Sequence, residues 1–180
     1  VFIFCLAMSS AQAAEWPMFQ LDARHSANNT EDLIRLPLEN SWQAESGADS
    51  FGFSSAIQTS NTVYTTLSNA KLYPFDKLTG AQLWSLQVDG VFHSAPLYHN
   101  TMVYFTTSDG KIYALGASDG KVVWVYSAGT AINTSPVIQD NLLFSASNNG
   151  MVYALKIENG ELAWKTDLGN EYIRSSPAAD

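Results

Sequence analysis

The sequence predicts an all-β fold, a partial β-propeller of four-stranded antiparallel blades. Three features of the 180 residues support this prediction: a repeat of about 40 residues, short β-rich runs within each repeat, and turn residues between the runs. Four short strands repeated at this period are typical of a propeller blade. A solenoid of the same units is the alternative, whereas the turn chemistry excludes helical repeats.

The repeat is marked by four positions that recur in one register. An aromatic residue, a tyrosine, a glycine and a tryptophan each return after 40 residues. These residues are Tyr64, Tyr104 and Phe144; Tyr73, Tyr113 and Tyr153; Gly80, Gly120 and Gly160; and Trp84, Trp124 and Trp164. Agreement among four independent positions indicates repeated structural units.

Each repeat divides into four runs of strand-forming residues. In the second repeat the runs begin at Ser94, Met102, Lys111 and Val122. Turns such as Ser108-Asp109-Gly110 separate them, because Gly supplies the positive φ that tight hairpins need. The third repeat follows the same plan. The first does so less cleanly, with Asn69-Ala70 where the others have Asp-Gly or Asn-Gly.

The repeat register and the apolar N-terminus predict the boundaries of the segments. Before the blades we expect a truncated signal peptide at 1–13, a lead-in segment at 14–39 and a lone outer strand around Trp42 at 40–45. The first blade is expected at 54–90, the second at 93–130, the third at 133–170 and the start of a fourth at 173–180. The lone strand would complete the last blade of a ring, which removes exposed sheet edges. We therefore expect an N-terminal fragment of a longer protein, whose C-terminal blades are missing here.

Composition and the first residues restrict the class of protein. The net charge of −8 disfavours nucleic-acid binding, and the 12% aromatic content argues against disorder. Residues 1–8 are apolar, and Ala11-Gln12-Ala13 fits a signal-peptidase site. A short buried strand or helix is the alternative; the run is too short to span a bilayer. Cys5, the single cysteine, lies in this run, and Phe4 before it argues against lipidation. We expect a periplasmic or secreted protein without disulfides or a transmembrane segment.

The segment before the first repeated tryptophan carries a family motif. Residues 74–84, PFDKLTGAQLW, resemble the Ala-x-Asp-x-x-Thr-Gly-x-x-x-Trp motif of pyrroloquinoline-quinone-like propeller repeats, with Asp76, Thr79, Gly80 and Trp84 in place and Pro74 for Ala. The second and third repeats keep Ala, Gly and Trp but depart at the Asp and Thr positions. Residues 15–20 and 24–26 are similar to the lead-in of exported members.

The resemblance implies a structural role for these residues. In the family the indole stacks over the glycine turn between adjacent blades. Burying such a ring contributes about 2–3 kcal/mol. We expect blade docking, rather than ligand contact, from Trp84, Trp124, Trp164, Gly80, Gly120, Gly160, Asp76 and Thr79, together with Trp42.

The family contains catalytic and non-catalytic classes with different requirements. Quinoprotein dehydrogenases of alcohols and sugars hold pyrroloquinoline quinone and Ca²⁺ at the axis, and a hard cation needs carboxylate or amide ligands. The repeat starts that would face the axis instead carry small residues: Ser54-Ser55, Ser94-Ala95, Thr134-Ser135 and Ser175-Ser176. His25, His93 and His99 lack metal-ligand spacing. We expect no catalytic, cofactor-binding or metal-binding residues, and the quinone and calcium only under the dehydrogenase alternative.

The expected function is that of an exported, non-catalytic propeller that acts as a scaffold for proteins or extended polypeptides. Its best-known type is the scaffold lipoprotein of the outer-membrane β-barrel assembly machinery, which offers strand edges and loop faces to partners. A quinone-dependent alcohol or sugar dehydrogenase, and a sensor or adhesin module, are the alternatives.

Overall fold

Every regular element in the described part of the chain is a β-strand. The computed structural model describes residues 2–5, 42–45, 55–67, 69–169 and 172–178, with the backbone alone for 2–5, 44 and 45. The strands are β1 Phe2–Cys5, β2 Trp42–Glu45, β3 Ile57–Gln58, β4 Thr62–Leu67, β5 Lys71–Asp76, β6 Leu86–Gln87, β7 Leu97–His99, β8 Met102–Thr106, β9 Lys111–Gly116, β10 Val122–Ser127, β11 Val137–Gln139, β12 Leu142–Ala146, β13 Met151–Lys156 and β14 Leu162–Asp167.

Strands β3 to β14 form three separate four-stranded sheets. Each sheet uses four consecutive strands in chain order: β3 to β6 are the first blade, β7 to β10 the second and β11 to β14 the third. All neighbouring strands are antiparallel. This arrangement confirms the predicted all-β fold, a partial propeller of four-stranded blades.

The repeated aromatic residue has the same register in each blade. Tyr64 pairs with Pro74, Tyr104 with Ala114, and Phe144 with Ala154. The outer strands differ more than the inner ones. Strands β10 and β14 each contain six residues, whereas β6 contains only Leu86–Gln87. The less regular first repeat thus forms the blade with the shortest outer strand.

The outer strand predicted to stand alone has a partner. Strand β2 belongs to none of the three blades, as predicted, but it pairs antiparallel with β1 from Phe2↔Glu45 to Cys5↔Trp42. Residues 2–5 belong to the segment 1–13 that the sequence predicts to be a signal peptide, and that assignment stays a prediction. The pairing satisfies backbone groups that an unpaired strand leaves open. Residues 6–41, including the predicted cleavage site and lead-in, lie outside the described residues.

The core lies between neighbouring blades. Tyr64 and Leu72 of the first blade pack in one cluster with Phe105 and Leu115 of the second. A second cluster joins Leu97, Tyr104 and Ile112 of the second blade to Leu143 and Leu155 of the third. Because the second blade is covered on both faces, β8 and β9 are buried over most of their length. None of the described segments forms a helix that could cross a membrane.

Candidate functional site

Three tryptophans, namely Trp42, Trp84 and Trp124, each lie against the glycine turn of the blade that follows in the chain. A Cβ built on Gly80 would lie 2.6 Å from the Trp42 ring, one on Gly120 2.7 Å from the Trp84 ring, and one on Gly160 2.6 Å from the Trp124 ring. The φ angles of the three glycines are 71°, 67° and 72°. Both the ring contact and the left-handed backbone therefore require glycine at this place.

The indole N–H groups of these three tryptophans differ in their hydrogen bonding. Trp42 Nε1 donates to the Lys77 carbonyl at 2.8 Å, and Trp124 Nε1 donates to the Ile157 carbonyl at 2.9 Å. Trp84 Nε1 is buried and has no partner among the described residues. At this interface the Tyr64 hydroxyl donates at 3.1 Å to the carbonyl of Ala117, the residue equivalent to Lys77 and Ile157.

Asp76 and Thr79 shape the turn that presents Gly80. Asp76 Oδ1 accepts from the Thr79 backbone N–H and the Thr79 hydroxyl, both at 2.8 Å, and from the Leu78 N–H at 3.1 Å. The Thr79 amide and hydroxyl, as donors to the carboxylate, hold the pKa of Asp76 below its usual value. The structure thus brings these two motif residues together beneath the docked tryptophan.

Trp164 is placed differently from the other tryptophans. It is 44% exposed, whereas its equivalent Trp124 is 8% exposed. Its ring still packs on Phe144, with ring centroids 5.8 Å apart, as Trp124 packs on Tyr104 at 5.9 Å. The difference is that no glycine turn in the described residues covers Trp164.

Small hydroxyl residues join the inner ends of the blades. The Ser135 hydroxyl accepts from the Ala95 N–H at 3.0 Å, and the Ser176 hydroxyl accepts from the Ser135 N–H at 2.9 Å. Thr106 Oγ1 lies 2.7 Å from Ser94 Oγ and donates to the Thr134 carbonyl at 2.9 Å. The positions expected to face the axis therefore carry hydroxyls that are used in contacts within and between blades.

The titratable residues considered from sequence do not converge. His93 and Arg174 are exposed, and the Arg174 guanidinium lies 4.9 Å over the Tyr172 ring. His99 Nε2 lies 2.8 Å from Asn100 Nδ2. The described residues contain no group of three or more His, Cys, Asp or Glu that could hold a metal ion. His25 and Ser54 lie outside the described residues.

The outer strand of the second blade exposes a row of apolar side chains. Val122, Val123 and Val125 are each about half exposed, and Val123 reaches 56%. Strand β10 pairs with β9 along one edge and is the last strand of its sheet. No described strand pairs with its other edge, whose backbone donors and acceptors lie next to apolar side chains.

A groove lies beside this strand, between the second and third blades. Its volume is about 560 Å³, and its lining comes from β8, β10, β12, the end of β13 and the turns of both blades. The lining residues are Asn100, Met102, Tyr104, Val123, Asp140, Asn141, Leu142, Lys156, Ile157 and Glu158. This groove was not predicted from the sequence. A usable signal was the recurrence of the polar pairs Asn100-Thr101 and Asp140-Asn141 at a spacing of 40 residues. In the structure all four residues have positive φ angles.

Comparisons with known proteins agree on the fold. A family model described as outer membrane protein assembly factor BamB matches residues 39–171. No curated protein matches the sequence. Among solved structures, BamB from Moraxella catarrhalis is 21% identical with a TM-score of 0.63, over 72% of this chain and 41% of that chain.

Other similar structures differ widely in what their names describe. A europium-containing methanol dehydrogenase is 19% identical with a TM-score of 0.71, over 84% of this chain and 31% of that one. The computationally designed Ika4 protein is 18% identical with a TM-score of 0.63, over 73% of this chain and 82% of that one. The chain thus spans less than half of the BamB and dehydrogenase structures. Since the family model covers most of the chain, the protein belongs to the BamB family of pyrroloquinoline-quinone-like repeat β-propellers.

Proposed function

We propose that the protein is an exported, non-catalytic propeller that binds extended polypeptides along the outer edge of β10. The observation that carries the proposal is the open edge of this strand, with Val122, Val123 and Val125 exposed beside it. An extended peptide can add to such an edge as a further strand, so that main-chain hydrogen bonds give affinity and side-chain contacts give selectivity.

The three outer strands differ in how well they suit this role. Proteins usually protect sheet edges with charges, proline or very short strands. Strand β6 has two residues, and β14 carries Lys165 and Asp167. Strand β10, with the sequence VVWVYS, has six residues without a charge or a proline. It therefore lacks each of these protections and is the favoured docking edge.

The inner ends of the blades favour binding over quinone chemistry. A dehydrogenase would need oxygen ligands for a hard cation near the axis. The corresponding described positions hold Ser94, Ala95, Thr134, Ser135 and Ser176. The hydroxyl groups of the serines and the threonine form hydrogen bonds within the same blade or to the adjacent repeat. This donor set does not suit a calcium ion, so no reaction step through the quinone is proposed.

Three further parts of the proposal rest on the family and the repeat geometry. The family description, an outer membrane protein assembly factor, suggests polypeptide partners handled during outer-membrane assembly and a periplasmic location. The contacts of Trp42, Trp84 and Trp124 with glycine turns support a docking role for the repeated Trp and Gly positions. By the same geometry, β2 would serve as the outer strand of the ring's last blade, and the exposed Trp164 ring would pack on a fourth blade.

The proposal is tested by the affinity of a labelled ten-residue peptide of alternating Val and Thr, measured by fluorescence anisotropy. The variant Val123→Lys/Val125→Lys places two charges beside the edge and should weaken binding at least tenfold. Leu83→Lys is a matched control, because Leu83 is exposed and occupies the first-blade position equivalent to Val123. It should leave affinity within twofold of the parent protein.

A second arm tests the main-chain contacts directly. Peptides N-methylated at alternate residues lose the donors on one edge only. Methylation in one register should abolish binding, and methylation in the other should preserve it. Equal binding of both methylated peptides, or unchanged affinity in the double lysine variant, would refute the proposal.

A further inference from the structure

The groove between the second and third blades combines an apolar floor with a polar rim. Met102, Tyr104, Val123, Leu142 and Ile157 supply the apolar part. The exposed residues at the rim are Asn100, Asp140, Asn141, Lys156 and Glu158. A volume of about 560 Å³ lies in the range of sites that enclose small ligands or large side chains.

The groove is continuous with the proposed docking edge. Val123 lies on β10 and also lines the groove. A strand bound along β10 would therefore bring one of its side chains to the groove. Successive side chains of a strand point to opposite faces, so one residue in two is directed to the side where the groove lies.

Tyr104 lines this groove and is 2% exposed. At the interface of the first and second blades the equivalent hydroxyl, that of Tyr64, donates to the Ala117 carbonyl. At the interface of the second and third blades the corresponding carbonyl, that of Ile157 in the third blade, accepts from Trp124 Nε1 instead. Tyr104 therefore contributes an aromatic surface to the groove, and its hydroxyl lacks the carbonyl partner that Tyr64 has.

The rim carries two carboxylates and one ammonium group, so its net charge is negative. Asp140 and Glu158 line the groove without an ion-pair partner in the described part of the chain. The Lys156 ammonium is engaged by the Glu161 carboxylate at 2.9 Å. At the preceding interface the equivalents of Asp140 and Glu158 are Asn100 and Ser118, so the carboxylates are particular to this groove.

We propose that this groove is a selectivity subsite that holds a large apolar side chain of the bound polypeptide together with a lysine or arginine two residues along the same strand. The apolar side chain packs over Met102, Tyr104 and Leu142, and the cation, which points to the same face of the strand, lies between Asp140 and Glu158. This inference rests on the proposed binding of extended polypeptides to β10.

The test compares three versions of the Val/Thr peptide, ending in Phe-Thr-Lys, Phe-Thr-Glu or Ala-Thr-Lys (the Phe-Lys, Phe-Glu and Ala-Lys peptides), so that the two varied side chains point to the same face. The parent protein should bind the Phe-Lys peptide about fivefold more tightly than either of the others at low salt, and added salt should reduce the preference over Phe-Glu. Asp140→Asn/Glu158→Gln should remove that preference. Asp89→Asn/Asp167→Asn makes the same change in charge outside the groove and should retain it.

The Tyr104 ring and the occupant of the groove have separate readouts. Tyr104→Phe keeps the ring on which the apolar side chain packs, so it should leave the preference for the Phe-Lys peptide over the Ala-Lys peptide unchanged, and loss of that preference would contradict the proposed packing. Thermal melting within 3 °C of the parent protein would show that each variant is folded. Dimerisation of the unliganded protein that Asp140→Asn/Glu158→Gln abolishes would assign the groove to a second copy of the chain and overturn the inference.

The outcomes for the groove and for the edge are distinguishable. If all three peptides bind equally and all are lost in Val123→Lys/Val125→Lys, the edge proposal stands and the groove inference is wrong. If the peptides bind but resist the lysine substitutions, the edge proposal fails, and the groove inference fails with it.

Discussion

The interface between the first and second blades and that between the second and third use the same residues differently. Each has a tyrosine on the second strand, a tryptophan after the third strand, and a glycine turn with one carbonyl in reach. At the first interface the Tyr64 hydroxyl donates to the Ala117 carbonyl, whereas at the second the Trp124 indole N–H donates to the Ile157 carbonyl. The group left over is the buried Trp84 N–H in one case and the Tyr104 hydroxyl in the other. Ring packing on glycine is thus the shared element, and the polar contact is interchangeable.

The largest effect is expected from filling the space under a docked ring. Gly160→Ala should destabilise the protein by about 3 kcal/mol, because the new methyl overlaps the Trp124 ring and the backbone is left-handed. Gly129→Ala is the control, since Gly129 has φ of 76° with nothing within 4 Å of an added Cβ. It should cost only about 1 kcal/mol in urea unfolding. Equal costs would mean that the ring contact contributes nothing.

Removing the indole N–H should separate the two interfaces. Trp124→Phe loses ring area and leaves the Ile157 carbonyl without its donor. Trp84→Phe loses similar area but also removes a buried donor that lacks a partner. We expect Trp124→Phe to cost about 1–2 kcal/mol more than Trp84→Phe in denaturant unfolding. Equal costs would contradict the difference in hydrogen bonding.

Removing the tyrosine hydroxyls should give the opposite order. Tyr64→Phe should cost about 1 kcal/mol, because the Ala117 carbonyl loses its donor, while Tyr104→Phe should be nearly neutral. Because the equivalent carbonyl at the second interface accepts from the indole of Trp124, we expect Trp84 Nε1 to replace the lost donor. Trp84→Phe should therefore cost more in the Tyr64→Phe background than in the parent protein, and additive costs would show that the two groups do not compete.

A stabilising change is expected in the first blade. Ala70 has φ of 60°, where the equivalent turn positions hold Gly110 and Gly150 with φ of 82° and 86°. Ala70→Gly should raise the free energy of unfolding by about 0.5 kcal/mol, because relief of the left-handed strain exceeds the added chain entropy of the unfolded state. Gly110→Ala makes the reverse change in the second blade and should destabilise, most of all because an added Cβ would meet the Thr130 backbone.

The smallest effect concerns alkaline pH. Burial raises the pKa of Tyr64 and of Tyr104 above the ordinary value of 10.0. The stabilisation linked to these neutral hydroxyls is fully present below pH 10 and is lost as the pH rises through the folded-state pKa values. Tyr64→Phe/Tyr104→Phe should flatten the decline of the melting temperature above pH 10. An unchanged slope would show that other groups cause the decline.

The 40-residue spacing was sufficient to predict the blades, because one strand-and-turn pattern is repeated three times. The choice between Tyr64 and Trp84 as donor was not predictable, since both residue types recur at the next interface with the opposite outcome. The groove was missed for a similar reason. Asp140 and Glu158 come from two different turns and Lys156 from the end of β13, and only packing of the third blade on the second brings them around Tyr104. The pairing of β2 with β1 was not predicted, because an apolar N-terminal run suits a leader and a strand equally well.

Each ring is joined to a glycine that follows it in the chain: Trp42 to Gly80, Trp84 to Gly120 and Trp124 to Gly160. In all three contacts the glycine follows the tryptophan in sequence. The tryptophan of a blade can therefore be buried only after about one further repeat of the chain has been synthesised. During synthesis from the N-terminus, the blades should therefore dock one after another, with one exposed indole always on the most recently folded blade. A chaperone that recognises exposed aromatic residues would then bind at this one indole rather than along a whole unfolded chain.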